Sequence, residues 1–261
     1  MPELAEVEIV RRNLEGWWTE PASEVRLLDD ELLVRGDPQT LRGLLTSQPP
    51  EMGRRGKYLL AGFDDGAIVF HFRMTGKIVL AHQPEPDYAR LSWRVDPGWL
   101  VFKDRRRLGR VEVFEDDAID DYEPLTTMGP EPWDLTGELL RDRLSQRRRL
   151  KDALMDQSSI AGVGNIAVSE LFWRLKLPPD AQVSDLDDDD FEALAAEIPT
   201  YFDDIIDREM ADEVTYVEED SSANPFDVYG REGGPCPRCG TEIAREKIAG
   251  RSSYFCPQCQ S

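Results

Sequence analysis

No stretch of this chain approaches the roughly 20 consecutive apolar residues of a membrane-spanning helix, so neither an integral membrane protein nor a membrane partner is expected. The first dozen residues are charged from Glu3 onward. They hold no apolar segment of the kind a secretory signal needs, and a cytosolic protein is the expectation. Cysteine is scarce and confined: all four fall within the last 26 of the 261 residues. That excludes a disulfide framework running through the chain, and in a reducing compartment such a cluster favours a metal over disulfides. No internal repeat is present. Basic residues are also in short supply. Lys and Arg number 31 against 52 Asp and Glu, a net charge of −21 that at first sight argues against a nucleic-acid partner.

The shortage of positive charge is local. Residues 185–227 contain 17 acids and a single base, Arg208, which leaves the other 218 residues at only −5. Elsewhere cations are bunched: five between Lys103 and Arg110 against Asp104, and six between Arg141 and Lys151 against Asp142. A DNA-binding face is compatible with the total, because a charged partner responds to local potential rather than to the sum. Two solvated charged faces would account for the same runs. At 40% hydrophobic residues the chain can build a sizeable core, and its length suits two domains of ordinary size.

Leu4, Val7, Val10 and Leu14 form an apolar stripe and Pro2 suits a first-turn position, so the first dozen residues read as a helix. Short strands follow. Lys57–Phe63 and Ala67–Phe72 flank an Asp-Asp-Gly turn, Leu91–Val95 and Trp99–Lys103 flank Asp96-Pro97-Gly98, and Val111–Phe114 is one more strand. Residues 1–115 thus read as a mostly β domain with a leading helix. Beyond the Gly129-Pro130-Glu131-Pro132 break the period becomes helical, over 135–144, 150–156, 166–175 and 189–209. The carboxylates of 187–190 suit a helix start. Residues 211–227 are acidic, without apolar period, and read as a mobile loop.

Two features carry chemistry. Cys236-Pro-Arg-Cys239 and Cys256-Pro-Gln-Cys259 are separated by sixteen residues, a spacing at which two knuckles present four thiolates to one structural Zn²⁺ and leave no open position for catalysis. Segments 241–247 and 252–255 can pair as a ribbon between them, with Arg251 at its turn, where it is either an exposed arginine or a ligand contact. At the other end, removal of Met1 would leave Pro2 with a secondary α-amine. Such an amine, with a pKa near 7.7–8.0, is neutral far more often at pH 7 than a lysine. Its attack on an aldehyde-level carbon gives an iminium that cannot shed its charge, an electron sink suited to β-elimination. Glu3 and Glu6 lie close enough on a first helical turn to supply a proton. Alone, the same residues are equally a convenient helix start.

Together the segments resemble the formamidopyrimidine-DNA glycosylase and endonuclease VIII family of bifunctional repair enzymes. The blocks are Pro2-Glu-Leu-Ala-Glu-Val-Glu8, Arg54-Arg-Gly-Lys-Tyr-Leu-Leu60, His71-Phe-Arg-Met-Thr-Gly76, Asp104-Arg-Arg-Arg-Leu-Gly109 and Gly129-Pro-Glu-Pro132. They continue through Lys151-Asp-Ala-Leu-Met-Asp-Gln157, Gly162-Val-Gly-Asn-Ile166 and Val228-Tyr-Gly-Arg-Glu-Gly233 to the cysteine module, in the family's order. The resemblance implies an α+β protein: an N-terminal catalytic β-sandwich with flanking helices over 1–115, a helix–two-turn–helix DNA-binding domain over 129–227, and a zinc-finger β-ribbon over 228–261. It implies excision of oxidised bases from double-stranded DNA, followed by strand cleavage at the abasic site. By resemblance Pro2 is the Schiff-base nucleophile, Glu3 the general acid with Glu6 beside it, Lys57 a residue of β-elimination and Arg251 a proton donor in δ-elimination. His71, Arg107 and Arg147 match DNA contacts, Met74, Arg106 and Leu108 match the residues that fill the gap left by an extruded base, and the helix N-terminus at Asn165 is by its own chemistry a phosphate site. Asn165 could also cap the helix beginning at Ile166.

The pattern departs from the family in two informative places. Leu108 stands where a phenylalanine would stack on the neighbouring base. The acidic, glycine-free Asp207–Asp220 replaces the Gly/Thr-rich lesion-capping loop of the oxoguanine-specific branch, so the resemblance does not decide which lesion is preferred, 8-oxoguanine included. The expectation is a monomer, cytoplasmic and nucleoid-associated in the bacterial manner. The competing reading is a non-catalytic, zinc-containing protein of the same fold that binds damaged DNA.

Overall fold

A computed structural model describes residues 2–210, 224–248 and 250–261. The chain forms two compact units, residues up to 126 with Glu209 and Met210 in one and the remaining described residues in the other.

The first unit opens with helix α1, Leu4–Trp17. Glu3 is its N-cap: the Glu3 N–H donates to Glu6 Oε2 at 2.8 Å, and the Glu3 carboxylate accepts the Glu6 backbone N–H. Pro2 therefore stands ahead of the helix, not within its first turn as expected, because the reciprocal box starts the helix two residues later. Nine strands follow, β1 (Glu24–Leu27), β2 (Leu33–Arg35), β3 (Glu51–Arg55), β4 (Tyr58–Phe63), β5 (Gly66–His71), β6 (Gly76–Ala81), β7 (Ala89–Arg94), β8 (Trp99–Asp104) and β9 (Arg110–Glu115). They build an antiparallel sheet ordered β1-β7-β8-β6 and a second sheet ordered β2-β9-β5-β4-β3, in which only β2 runs parallel to its neighbour.

The inner faces meet through aromatics: Phe70 of the second sheet lies 6.4 Å from Phe102 and 6.1 Å from Trp93 of the first, ring centre to ring centre. Helix α1 packs against β3, β4 and β6, so it covers the side of the sandwich where both sheets present an edge strand. Helix α2, Pro38–Ser47, packs against β1, β5 and β9. Its start is capped by Asp37, which accepts from Gln39 N at 2.7 Å and Thr40 N at 3.1 Å. The five anticipated strands are present to within two residues, whereas β1, β2, β3, β6 and α2 were not anticipated. Lys57 does not open a strand. Arg55 pairs with Tyr58, which leaves Gly56 and Lys57 as a two-residue turn.

The second unit contains helices α4 (Gly137–Arg143), α5 (Leu150–Leu154), α6 (Asn165–Leu175) and most of α7 (Asp188–Glu209), with the short α3 (Glu123–Thr126) preceding them in the first unit. The two turns between α5 and α6 are stitched by Gln157, whose Nε2 donates to Met155 O and Val163 O while its Oε1 accepts from Gly162 N. The Gly129-Pro segment lies against them. A Cβ at Gly129 would sit 2.3 Å from Ser159 O, so only glycine fits. The N-cap of α6 is Gly164, and Asn165 is its first helical residue. The expected cap is thereby corrected: Asn165 turns its side chain elsewhere, as described below. Asp187 and Asp190 exchange backbone-to-carboxylate bonds at 3.0 and 3.1 Å and start α7 as the acidic run suggested. Strands β10 (Ala244–Ile248) and β11 (Arg251–Phe255) form the antiparallel ribbon. Of the loop expected over 211–227, residues 211–223 lie outside the described residues.

Glu8, on buried α1, accepts from Arg11 and Arg12 on its own helix and from Arg54 of β3 at 3.1 Å. Burial alone would raise its carboxyl, but the hydrogen bonds of Arg11 and Arg12 and the charges of Arg11 and Arg54 bring it down to about 2. A depressed folded-state value contributes stability that is present above the unfolded value near 4.3 and lost as the pH falls toward 2. Glu8→Gln should therefore destabilise the first unit by about 1–3 kcal/mol at pH 7. The deficit should shrink steadily below pH 4, as read from urea unfolding at a series of pH values. A deficit independent of pH would place the effect in packing instead.

Candidate functional site

The head of α1 gathers a buried group of Pro2 and two carboxyls. Pro2, Glu3 and Glu6 are all buried, the two glutamates at 2% and 5% exposure. Burial first, and then the negative charge of Glu3, raise the Glu6 carboxyl above the ordinary range. Glu209, which clusters with this unit, is pushed up to about 8 by burial and by the charge of Glu6. Both shifts favour the protonated form of Glu6 and of Glu209, because each carboxylate would be charged beside another in a place poor in water. Glu209 gave no signal in the sequence, because it belongs to an acidic run whose simplest reading is a solvated surface. The turn carrying Lys57 is tied to α1 by one guanidinium: Arg54 donates from Nε to Glu8 and from Nη1 to Gly56 O at 3.0 Å. Lys57 itself is half-buried.

A second cluster stands on the sheet containing β4, β5 and β9, where Tyr58, His71 and Arg110 lie opposite one another in register. His71 packs edge-on against Tyr58 at 4.5 Å. Burial first, then the charges of Arg73, Lys57 and Arg110, bring its pKa down to about 3. The ring is thus neutral at physiological pH. Its Nδ1 accepts from Arg73 N at 3.1 Å, so the proton is assigned to Nε2. A neutral N–H donor among three cations suits a phosphate oxygen. The packing reading and the ligand reading of this histidine are therefore compatible.

Met74 and Leu108 are among the few large apolar side chains left in solvent, at 37% and 42% exposure, and Arg106 is exposed beside them in sequence. Arg107 is differently placed: its guanidinium donates to Asp29 at 2.8 Å and to Glu31 at 3.3 Å.

In the second unit, Asn165 Nδ2 donates to Ser252 O at 3.0 Å, while its buried Oδ1 has no hydrogen-bond partner. Lys151, buried at 2% exposure, donates to the same Ser252 O at 3.3 Å and to Ser253 Oγ at 2.5 Å. These bonds fix the strand that begins with Arg251, whose exposed guanidinium lies 3.8 Å from Asp152. This support of the ribbon by Lys151 was not anticipated, although a lysine on the apolar side of a helix was the available signal. Arg147 is exposed, whereas Arg148 is held by Asp156 at 2.7 Å. The four cysteine sulfurs lie within 4.8 Å of one another, with Cys239 Sγ 3.5 Å from both Cys256 and Cys259 and Cys236 Sγ 4.0 Å from Cys259. A tetrahedron of thiolates about 2.3 Å from zinc has sulfurs about 3.8 Å apart, so the residues fit one structural Zn²⁺. Trp173 of α6 donates from Nε1 to Cys236 Sγ at 3.4 Å, which is the outer support such a ligand needs.

Comparison with known proteins gives the family. Residues 1–111 match the formamidopyrimidine-DNA glycosylase N-terminal domain, 128–214 the H2TH domain of the same enzymes, and 233–261 the zinc finger found in FPG and IleRS. The formamidopyrimidine-DNA glycosylase of Heliobacterium modesticaldum is 38% identical over 276 residues, covering all of both chains. Among solved structures, the Lactococcus lactis enzyme bound non-covalently to DNA with an abasic site superposes with a TM-score of 0.84 at 31% identity, again over all of both chains. The same enzyme on DNA containing Fapy-dG gives 0.86 at 32% identity, over 99% of this chain and 100% of that one.

Because Trp173, Val228, Cys236, Ile243 and Cys256 form one small core, zinc and ribbon should stand or fall together. Chelation, or Cys256→Ser, should open residues 228–261 to proteolysis while the near-ultraviolet dichroism of the first unit, with Trp18 and Trp93 in its core, persists. Protease resistance in the metal-free protein would show that the ribbon is held by packing alone.

Proposed function

We infer, since the chain belongs to the formamidopyrimidine-DNA glycosylase family, that it excises oxidised bases from DNA and cleaves the strand at the resulting abasic site. The observation that carries the reading in this chain is the buried trio of Pro2, Glu3 and Glu6 at the start of α1. With Met1 removed, the Pro2 nitrogen attacks C1′ of the damaged nucleotide. The glycosidic bond breaks, and Glu3 supplies a proton to the opened sugar or the departing base, with the raised carboxyl of Glu6 beside it as a proton store. The iminium then draws electrons from the sugar. Loss of a C2′ proton breaks the C3′–O bond, and a second elimination breaks C5′–O. Lys57 assists the first of these eliminations, and Arg251 on the ribbon donates a proton in the second.

The substrate is damaged duplex DNA, bound through its phosphates and its deformability rather than its sequence. His71 and Lys57 in the first unit, and Arg147, Asn165 and Arg251 in the second, are the phosphate contacts of this reading. Arg107 reaches DNA only by exchanging Asp29 and Glu31 for a phosphate. The target base is flipped out, and Met74, Arg106 and Leu108 occupy the gap. The zinc holds the ribbon and takes no part in the bond changes. The protein acts as a monomer in the cytoplasm, on the nucleoid. No helix among the described residues is long and apolar enough to cross a membrane.

Borohydride should trap the protein covalently on DNA containing an abasic site, with the adduct mapping to Pro2. Glu3→Gln should impair base excision by about 100-fold or more, and should affect cleavage of a preformed abasic site much less. If wild-type protein shown by intact mass to lack Met1 gives no adduct, the lyase reading is wrong and the non-catalytic binding protein replaces it.

A further inference from the structure

Asp104 is the last residue of β8, and its side chain has no solvent exposure. A buried carboxylate needs partners, and this one has five. Its Oδ1 accepts from the hydroxyl of Thr75 and from Arg106 N at 3.1 Å. Its Oδ2 accepts from Leu108 N at 2.7 Å and Gly109 N at 2.6 Å, and Arg90 Nη1 lies 3.6 Å away. These donors belong to two different loops. Thr75 sits in the turn between β5 and β6, next to Met74; Arg106, Leu108 and Gly109 sit in the loop between β8 and β9. Arg106 N is also 3.2 Å from Thr75 Oγ1, so the two loops meet directly over the carboxylate. Gly109 can approach because it has no Cβ, which would fall 2.7 Å from the Phe102 ring. From the other side Arg90 donates to Asp29 at 2.7 Å, and Asp29 accepts from Arg107 at 2.8 Å. Arg106 and Leu108 therefore project into solvent from backbone groups bonded to one buried charge, and Met74 does so from the position before Thr75, whose hydroxyl bonds to the same charge.

We propose that Asp104 is the positioning residue of the gap-filling wedge, coupling the Met74 turn to the Arg106–Leu108 loop so that the three side chains enter the duplex as one rigid tool. The proposal rests on the reading of those three residues as the wedge. A flexible wedge would have to be ordered at the moment it displaces a base, and that entropy would be charged against extrusion. Asp104 removes the cost beforehand. The coupling acts on extrusion of a stacked, paired base. An abasic nucleotide has no base to unstack, so its cleavage depends on the coupling far less.

Asp104→Asn puts an N–H₂ where two N–H groups now donate and could unfold the loop, so the decisive variants are at Thr75. Thr75→Val keeps the shape and removes the hydroxyl that joins the turn to Asp104; Thr75→Ser restores it. Single-turnover excision of an oxidised base should slow by about tenfold in Thr75→Val, the effect of one lost bond to a charged acceptor. The fluorescence rise of 2-aminopurine next to the lesion should fall with it, cleavage of a preformed abasic site should be unchanged, and Thr75→Ser should recover both excision and the fluorescence rise. Met74→Ala serves as the reference. If Met74→Ala excises normally, the wedge reading fails and takes the proposal with it. If Met74→Ala is slow but Thr75→Val matches wild type, or loses both reactions equally, Asp104 is only a structural charge.

Discussion

The reciprocal box between Glu3 and Glu6 is the local contact on which the start of α1, and the placement of Pro2 ahead of it, depends. Here the box closes the first turn of α1, and α1 fills the side of the sandwich where β3 and β6 both end their sheets. Helix burial therefore does two jobs. It covers two sheet edges that would otherwise be open to pairing, and it carries Pro2 to a fixed, desolvated place. The same desolvation raises Glu6. The cost of burying carboxylates is offset by the hydrogen bonds that start the helix, so Pro2, Glu3 and Glu6 are placed by one local device.

Electrostatics in this protein is a matter of which cations are already spoken for. Arg54 belongs to Glu8, Arg90 to Asp29 and Asp104, Arg148 to Asp156, and Arg174 to Glu197 and Asp204. Arg107, at the centre of the first basic run, faces Asp29 and Glu31. Lys151, at the end of the second, is buried against the ribbon. Both basic runs thus contribute less free charge than their composition suggests. Arg73, Arg106, Arg110 and Arg147 remain exposed. Arg73 holds a left-handed backbone at φ 56°, a conformation that usually costs a non-glycine residue about 1 kcal/mol. The turn keeps that strain while Arg73 N anchors the His71 ring.

Period and turn chemistry made the central hairpins legible, since β4–β5 and β7–β8 carry apolar runs bounded by Asp-Gly and Pro-Gly turns. The two CxxC knuckles made the metal site legible. Strands β1 and β2 were not, being short, half-buried edge pieces whose register is set by partners far away in sequence. β6 hid behind Gly76 and a buried lysine, Lys77, which breaks its apolar run. Helix α2 was readable after all: Asp37-Pro38 is a cap-and-first-turn pair, followed by Leu41, Leu44 and Leu45 at helical spacing. Asn165 misled because an asparagine after a Gly-Val-Gly turn looks like a cap. Its amide instead serves a carbonyl 87 residues further along the chain, a contact no local pattern reveals.

The zinc ribbon looks separable in sequence, with its own cysteines and its own length, yet its fixing points lie on the helices of its unit. Glu170 of α6 accepts from the backbone of Asp227, Val228 and Tyr229 at 2.8 to 2.9 Å and so anchors the chain where it enters the module. Burial raises this carboxyl, and those three N–H groups oppose the rise. Gln260 donates to Leu177 O and anchors the chain where it leaves. Between these points, Lys151 and Asn165 converge on one carbonyl, Ser252 O, adjacent to Arg251. Four thiolates on one ion can hold two knuckles together, but they cannot aim a side chain on a ribbon whose base is free to pivot. The orientation of Arg251 is therefore set by helix side chains, and the metal supplies the rigidity that lets them set it.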